Sequence, residues 1–174
     1  MKKILLLLLS ATVLISCEGD QGPPGPPGLD GGVFVAQSYE IQETFFAPEY
    51  RFRVNHPIEV LDTDMVLVYL SWDQVNASDG LPTDVWRLLP QTIYSDFGEF
   101  SYNYESTFDY VEIFMDGPLS TDFNLLSSAD TDNQIFRVVI LPVDFANDPN
   151  LDVTDYNSVM QVTGLSDSDF IKIE

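Results

Sequence analysis

The amino-acid sequence predicts an all-β fold, an antiparallel sandwich of two sheets that is immunoglobulin-like or jelly-roll-like, with one short C-terminal helix. Three observations predict it. Aromatic and polar residues alternate along Phe100–Glu105, as in a strand with one buried face. Met65–Trp72 and Ile135–Leu141 are continuous apolar runs, which favour strands covered on both faces. Clusters of Asp, Asn, Gly and Pro separate these runs and favour chain reversals.

Further runs rich in β-branched and aromatic residues predict additional strands. They are Val33–Gln42, Glu49–Val54, Ile58–Leu61, Val85–Tyr94, Tyr110–Met115 and Phe170–Ile173. Before the last of them, Thr154 is expected to cap a helix with Tyr156, Val159 and Met160 on one face, and Gly164 to end it. Residues 33–174 are therefore predicted to form one β-sandwich domain.

Composition excludes several functional classes. The chain has 174 residues, with 7 Lys+Arg against 28 Asp+Glu and a net charge of −21. No basic patch is available to neutralise phosphates, so no nucleic-acid partner is expected. The content of 45% hydrophobic and 13% aromatic residues is too high for a disordered acidic chain. A single His and a single Cys exclude a His-rich metal site, a zinc–thiolate cluster and an internal disulfide.

The first residues have the features of a secretory signal. Lys2 and Lys3 precede an apolar run, Ile4–Ile15, that is too short to span a membrane, although an uncleaved anchor helix is the alternative. The following sequence, Leu14-Ile15-Ser16-Cys17, resembles the bacterial lipobox. The resemblance implies a signal peptide at residues 1–16, lipidation of Cys17 and attachment to the membrane through that lipid, since two or more acyl chains anchor stably.

Residues 17–32 comprise Cys17 and a spacer in which glycine recurs at every third position, as in collagen. The residues that define this pattern are Gly19, Gly22, Pro23, Pro24, Gly25, Pro26, Pro27, Gly28 and Gly31. Three chains could trimerise through it, or each chain could keep a lone polyproline II tether. We expect the lone tether and a monomer, because bacterial prolines usually lack the hydroxyl that strengthens the triple helix. Twelve such residues extend roughly 37 Å.

No sequence motif indicates catalysis. There is no nucleophile elbow and no phosphate-binding loop, and His56, which precedes Pro57, is expected to be an exposed turn residue. No cofactor is expected apart from calcium, whose hard-oxygen preference would suit the acidic loops. The calcium candidates are Asp130, Asp132, Asp144, Asp148 and Asp152. Asp130 and Asp132 lie in one loop and the other three in a second, and neither loop matches a known calcium-binding spacing. Solvated acidic loops are therefore the favoured interpretation.

Two arginines and several aromatic residues have two interpretations each. Arg87 and Arg137 lie in apolar segments, so each should be paired with a carboxylate or face outward; anion recognition is the alternative. The flat aromatic side chains could stack on a sugar, although aromatics at strand spacing more often belong to the core. These side chains are Trp72, Trp86, Tyr102 and Tyr104.

The lipobox, the short Gly-Pro-Pro spacer and the acidic β domain together resemble collagen-like lipoproteins of the Bacteroidetes, and Val85–Thr92 and Phe136–Pro142 resemble their recurrent cores. The resemblance implies a lipid anchor in the outer membrane and supplies no site residues. Glu18 and Asp20, just after Cys17, resemble the surface-export signal of such lipoproteins. We therefore expect display on the cell surface, with the periplasmic face as the alternative.

These expectations define three functions. The first is a non-enzymatic surface module that binds an unidentified protein or glycan. The second is an architectural subunit of an envelope complex, or a collagen-like trimer. The third is a glycoside hydrolase that uses two carboxylates; 28 acidic residues make chance pairs unavoidable, so this is the least favoured.

Overall fold

The computed structural model describes residues 35–173, which form nine β-strands and two short α-helices. The predictions for the signal peptide, Cys17 and the collagen-like spacer lie outside the described residues. The strands are β1 (Gln37–Glu43), β2 (Arg51–Asn55), β3 (Met65–Asn76), β4 (Pro82–Leu88), β5 (Gln91–Ser95), β6 (Gly98–Ser106), β7 (Tyr110–Asp116), β8 (Gln134–Leu141) and β9 (Ile171–Ile173). The helices are α1 (Ser128–Thr131) and α2 (Tyr156–Thr163), and 3-10 turns occupy Phe123–Leu125, Val143–Asn147 and Asp167–Asp169.

The strands form two sheets, which confirms the predicted β-rich, two-sheet architecture. The order in the five-stranded sheet is β4-β3-β8-β1-β9, and in the four-stranded sheet it is β2-β7-β6-β5. Pairing is antiparallel throughout except between β1 and β9, which run parallel at one edge. The arrangement is a sandwich in which the inner faces of the two sheets share a core.

The main core lies between the sheets. The five-stranded sheet contributes Tyr39, Val68 and Phe136, which are fully buried, and the four-stranded sheet contributes Phe100 and Ile113. Successive residues of a strand point to opposite faces, so alternate positions of β8 fill this core and the positions between them face away from it.

A second core lies on the outer face of the five-stranded sheet. Leu67, Tyr69 and Val139 project from β3 and β8 and pack beneath Val159 of α2 and Phe170. This sheet is therefore covered on both faces over β3 and β8. The prediction drawn from the continuous apolar runs, Met65–Trp72 and Ile135–Leu141, is confirmed.

Helix α2 is present where the sequence predicted a helix, with a different cap. The side chain of Asp155, not Thr154, accepts a hydrogen bond from the backbone N–H of Asn157 at 3.0 Å. Gly164 ends the helix in the left-handed region with φ of +72°, and its N–H donates to the carbonyl of Met160. Among the described residues, no helix is long and apolar enough to cross a bilayer.

Two predicted strands are wrong. Ile58–Leu61 is not a strand, because Asp64 closes a local turn: its carboxylate accepts from the backbone N–H of Leu61, and its own N–H donates to the Leu61 carbonyl. Val85–Tyr94 is divided into β4 and β5, which belong to different sheets. Pro90 cannot donate to a ladder, so the chain leaves the first sheet there and enters the second.

Candidate functional site

Strand register places Arg137 in the middle of the outer face of the five-stranded sheet. Arg137 lies on β8, opposite Glu40 of β1 on one side and opposite Tyr69 of β3 on the other. Its neighbours Phe136 and Val138 point into the main core, so the alternation of the strand turns Arg137 outward, under α2. It is only 8% exposed.

Three groups hold the Arg137 guanidinium. Its Nε donates to a carboxylate oxygen of Glu40 at 3.0 Å, and its Nη1 donates to the Tyr156 hydroxyl at 2.5 Å and to the Asp167 carboxylate at 2.6 Å. The predicted pairing of Arg137 with carboxylates is confirmed. The other oxygen of Glu40 lies 3.3 Å from Nζ of Lys172. Burial would lower the pKa of Arg137, but Tyr156, Glu40 and Asp167 together raise it above its ordinary value.

Aromatic rings enclose the same guanidinium. Its central carbon lies 4.3 Å from the ring centroid of Trp86 and 4.3 Å from that of Phe170. The Trp86 and Tyr156 rings in turn lie 5.5 Å apart, tilted by 32°. Cation–π contacts strengthen when the cation is desolvated, as it is here.

The Arg137 guanidinium opens onto a cavity of about 700 Å³ between β4, the end of β3, the start of α2 and the turn that carries Asp167. We call it the Arg137 cavity. Trp86, Tyr156 and Met160 give it an aromatic and apolar part, and polar residues that include Asp84 and Asn157 line the rest. A concave site of this size that combines apolar walls with a few convergent polar groups is typical of small-ligand sites.

The Arg137 cavity lies toward one end of the sandwich. Its lining includes Val75 and Pro82, at the end of β3 and the start of β4. β3 is paired with β8 only up to Leu70, which lies opposite Phe136, and Val75 and Pro82 lie beyond that point. β1 begins toward the other end of the sheet, where Gln37 pairs with Ile140. The β3–β4 part of the cavity therefore lies at the opposite end of the sheet from the start of β1. The part formed by Ser166 and Asp167 lies closer to it, because the Ser38 hydroxyl donates to the carbonyl of Asp169 in the same turn.

Four of the five calcium candidates accept local hydrogen bonds. Asp130 accepts from Ser127 in a capping box, Asp148 accepts from Asn150, and Asp152 accepts from Thr154, whose hydrogen bonds lower the pKa of Asp152. Asp132 accepts from the Thr131 hydroxyl, and Asp144 lies in the first turn of the Val143–Asn147 segment. Over residues 35–173, no three or more His, Cys, Asp or Glu side chains are grouped to hold a metal.

The four aromatic residues considered for sugar stacking, and Arg87, lie in different parts of the domain. Tyr102 is 3% exposed in the main core and its hydroxyl donates to the carbonyl of Asp130, while the half-buried Tyr104 packs against the same core. Arg87 is exposed and lies over the Trp72 ring at 4.1 Å, on the face of β4 opposite to Trp86. Only Trp86 of the four aromatic candidates lines the Arg137 cavity.

The expectation that His56 is an exposed turn residue is wrong. The residue is half-buried, not exposed, and its two ring nitrogens bridge distant segments. Nε2 lies 2.9 Å from the carbonyl oxygen of Thr107, and Nδ1 lies 2.7 Å from the hydroxyl of Tyr39. Because a carbonyl can only accept, Nε2 must carry the hydrogen, and in the neutral ring Nδ1 accepts from Tyr39. His56 thus links β1 to the turn before β7.

Sequence reasoning identified Arg137 and Trp86 but missed Glu40, Tyr156 and Asp167 as their partners. These three lie 97, 19 and 30 residues from Arg137 along the chain. Only the fold brings them together, and no local motif marks them.

Comparison of the chain with models of protein families, with curated proteins and with solved structures gives no match. The features that bear on function are therefore the Arg137 cavity and the predicted N-terminal anchor.

Proposed function

We propose that this protein is a non-enzymatic, lipid-anchored binding module of the cell envelope, displayed on the cell surface, and that the Arg137 cavity is its binding site. The observation that carries the proposal is a cavity of about 700 Å³ that contains a buried, ring-stacked guanidinium. Its partner is a protein or a glycan.

The predicted N-terminus supports the location. Cys17 in the lipobox-like sequence would attach the chain to the outer membrane, and the spacer from Gly19 to Gly31 would hold the domain away from the lipid as a monomeric tether. The domain itself would be an immunoglobulin-like or jelly-roll-like member of the sandwich architectures.

The position of the Arg137 cavity in the sandwich also supports a binding role. The chain enters the described domain at β1, and the β3–β4 part of the cavity lies toward the other end of the same sheet. A domain tethered through the segment before Gln37 can therefore turn this part of the cavity away from its point of attachment. A ligand outside the cell could reach it without meeting the membrane first.

Protease shaving of intact cells tests surface display. Cells that produce the native protein are compared with cells that produce Cys17→Ala, which cannot be lipidated, and a periplasmic protein serves as the internal control. We expect the native domain to be digested while the control survives, and Cys17→Ala to lose its membrane attachment. Protection of the native domain until the outer membrane is broken would contradict surface display and favour an envelope complex.

A binding assay tests the module itself. The full-length protein, purified in detergent, is presented to immobilised glycans and to envelope proteins, and the bound ligand is analysed for cleavage. We expect retention of one ligand class with no cleavage. A retained ligand that is hydrolysed would contradict the non-enzymatic assignment.

A further inference from the structure

We infer that the Arg137 cavity binds a neutral saccharide, with one hydroxyl accepting a hydrogen bond from Nη2 of Arg137 and one sugar ring against Trp86. The inference rests on the proposed function and adds the ligand class. It depends on a guanidinium donor of Arg137, on the carboxylate acceptors in the cavity lining and on the net charge of these groups.

Nη2 is the guanidinium nitrogen of Arg137 that has no hydrogen-bond partner among the described residues. Nε and Nη1 both donate within that part of the chain. Arg137 lines the cavity together with Tyr156 and Asp167, the partners of Nη1, and the inference places the Nη2 donor at this wall. The Arg137 side chain is 10% exposed and is held by these partners, so the guanidinium is fixed in place.

Carboxylate oxygens in the lining of the same cavity complement this donor. Asp84 uses one oxygen to accept from Ser71 and Gln74, Asp155 uses one as the α2 cap, and Asp167 uses one for Arg137. In each case the second oxygen has no hydrogen bond from the described residues. A ligand that both donates and accepts at closely spaced positions would satisfy Nη2 and these oxygens together, and vicinal hydroxyls do so.

The net charge of the site disfavours an anionic ligand. Glu40 and Asp167 already pair with Arg137, and Asp84 and Asp155 add negative charge to the lining, so carboxylates outnumber the guanidinium. A neutral polyhydroxylated ligand donates its hydroxyl hydrogens to these carboxylates and is not repelled by the guanidinium. A cationic saccharide would also be attracted, and the charged counterparts in the experiment below distinguish it from a neutral one.

Trp86 provides the apolar surface. It is half-buried, with the Arg137 guanidinium over its ring, and Val85 and Met160 lie with it in the lining. The apolar face of a pyranose ring can pack on the part of the indole that remains accessible, while its hydroxyls point to the polar side of the cavity.

The two tryptophans of the chain allow a specific test. Trp72 and Arg87 stack on each other outside the Arg137 cavity, so this pair is the matched control for Trp86 and Arg137. Full-length protein in detergent is titrated with neutral hexasaccharides of glucose, mannose, galactose and xylose, and with oligogalacturonate and oligoglucosamine as charged counterparts. Tryptophan emission is recorded.

We expect at least one neutral hexasaccharide to change the emission, and the change to persist in Trp72→Phe and disappear in Trp86→Phe. Asn157→Ala, which removes an exposed side chain of the lining, should weaken binding about tenfold, equivalent to 1.4 kcal/mol. Arg87→Ala should leave it unchanged. Circular dichroism confirms that each variant is folded.

Three outcomes would overturn the inference: no response to any neutral saccharide, binding only of a charged oligomer, or a response that depends on Trp72. None of them decides the proposed function, because protease shaving and capture of an envelope protein are measured independently. If a neutral saccharide binds but protease shaving shows that the domain is periplasmic, the inferred ligand class stands and the proposed surface display is refuted.

Discussion

The outer faces of both sheets bring arginine, carboxylate and aromatic side chains together, but these groups are buried on one sheet and exposed on the other. On the five-stranded sheet, Arg137 meets Glu40, Asp167 and aromatic rings beneath α2 and is 8% exposed. On the four-stranded sheet, Arg51 and Arg53 meet Glu112 with no covering element among residues 35–173, and their side chains are 50% and 51% exposed.

The contacts on the open face are also longer. Arg53 approaches Glu112 at 3.4 Å and lies 3.9 Å from the Tyr110 ring centroid, while Arg51 is 3.8 Å from Glu112 and 5.3 Å from the Phe114 ring centroid. Water competes for each of these groups. An arginine, a carboxylate and a ring can therefore form a local surface contact or a fixed site, and the covering layer decides which.

The largest expected effect is that of Arg137→Ala. The variant leaves Glu40 and the Tyr156 hydroxyl without their buried partner and opens space between the Trp86 and Phe170 rings. We expect the free energy of unfolding to fall by about 3–5 kcal/mol. Urea denaturation followed by tryptophan emission measures it. A loss no larger than that of an exposed arginine would show that the covering layer adds nothing.

A second prediction concerns alkaline pH and the covered face. The Tyr69 hydroxyl donates to the Val153 carbonyl at 2.7 Å, and burial raises the pKa of Tyr69. Above pH about 10 the unfolded chain releases a proton that the folded chain retains, so the free energy of unfolding falls as pH rises, by up to about 1.4 kcal/mol per pH unit for one such tyrosine. This stabilisation is fully present below pH 10.

Tyr69→Phe isolates that contribution. The stability of the variant should decline less steeply between pH 10 and pH 11 than that of the native protein, in urea denaturation at each pH. An identical slope in the two proteins would mean that Tyr69 titrates alike in the folded and unfolded chains.

The smallest expected effect is that of Arg53→Ala on the open face. An exposed ion pair is worth about 0.2–1 kcal/mol, and salt screens it. We expect a loss below about 1 kcal/mol that shrinks when the salt concentration is raised, whereas the loss from Arg137→Ala should change little. A salt-independent loss of several kcal/mol would indicate that the open face is covered in the protein as it exists.

The sequence predicts the covered sheet better than the site built on it. Because side chains alternate along a strand, the continuous apolar run around Arg137 required a second layer, and the structure provides one in α2. The partners of Arg137 could not be predicted, since nothing local distinguishes Glu40 or Asp167 among 28 acidic residues. Val85–Tyr94 is an instructive error: the run was predicted as one strand, although Pro90 lacks the N–H that a continuous ladder needs, and the chain changes sheets there.

The place of β1 in the five-stranded sheet has a mechanical consequence. β1 is hydrogen-bonded to β8 on one side and to β9 on the other, and its first residue lies at the opposite end of the sheet from the β3–β4 part of the Arg137 cavity. Under the proposed function, a force between a bound ligand and an N-terminal lipid would run along β1. It would load the hydrogen bonds of both ladders in shear, together, and not unzip them one by one. If the proposed anchor and binding role hold, β1 is placed to resist pulling in that direction.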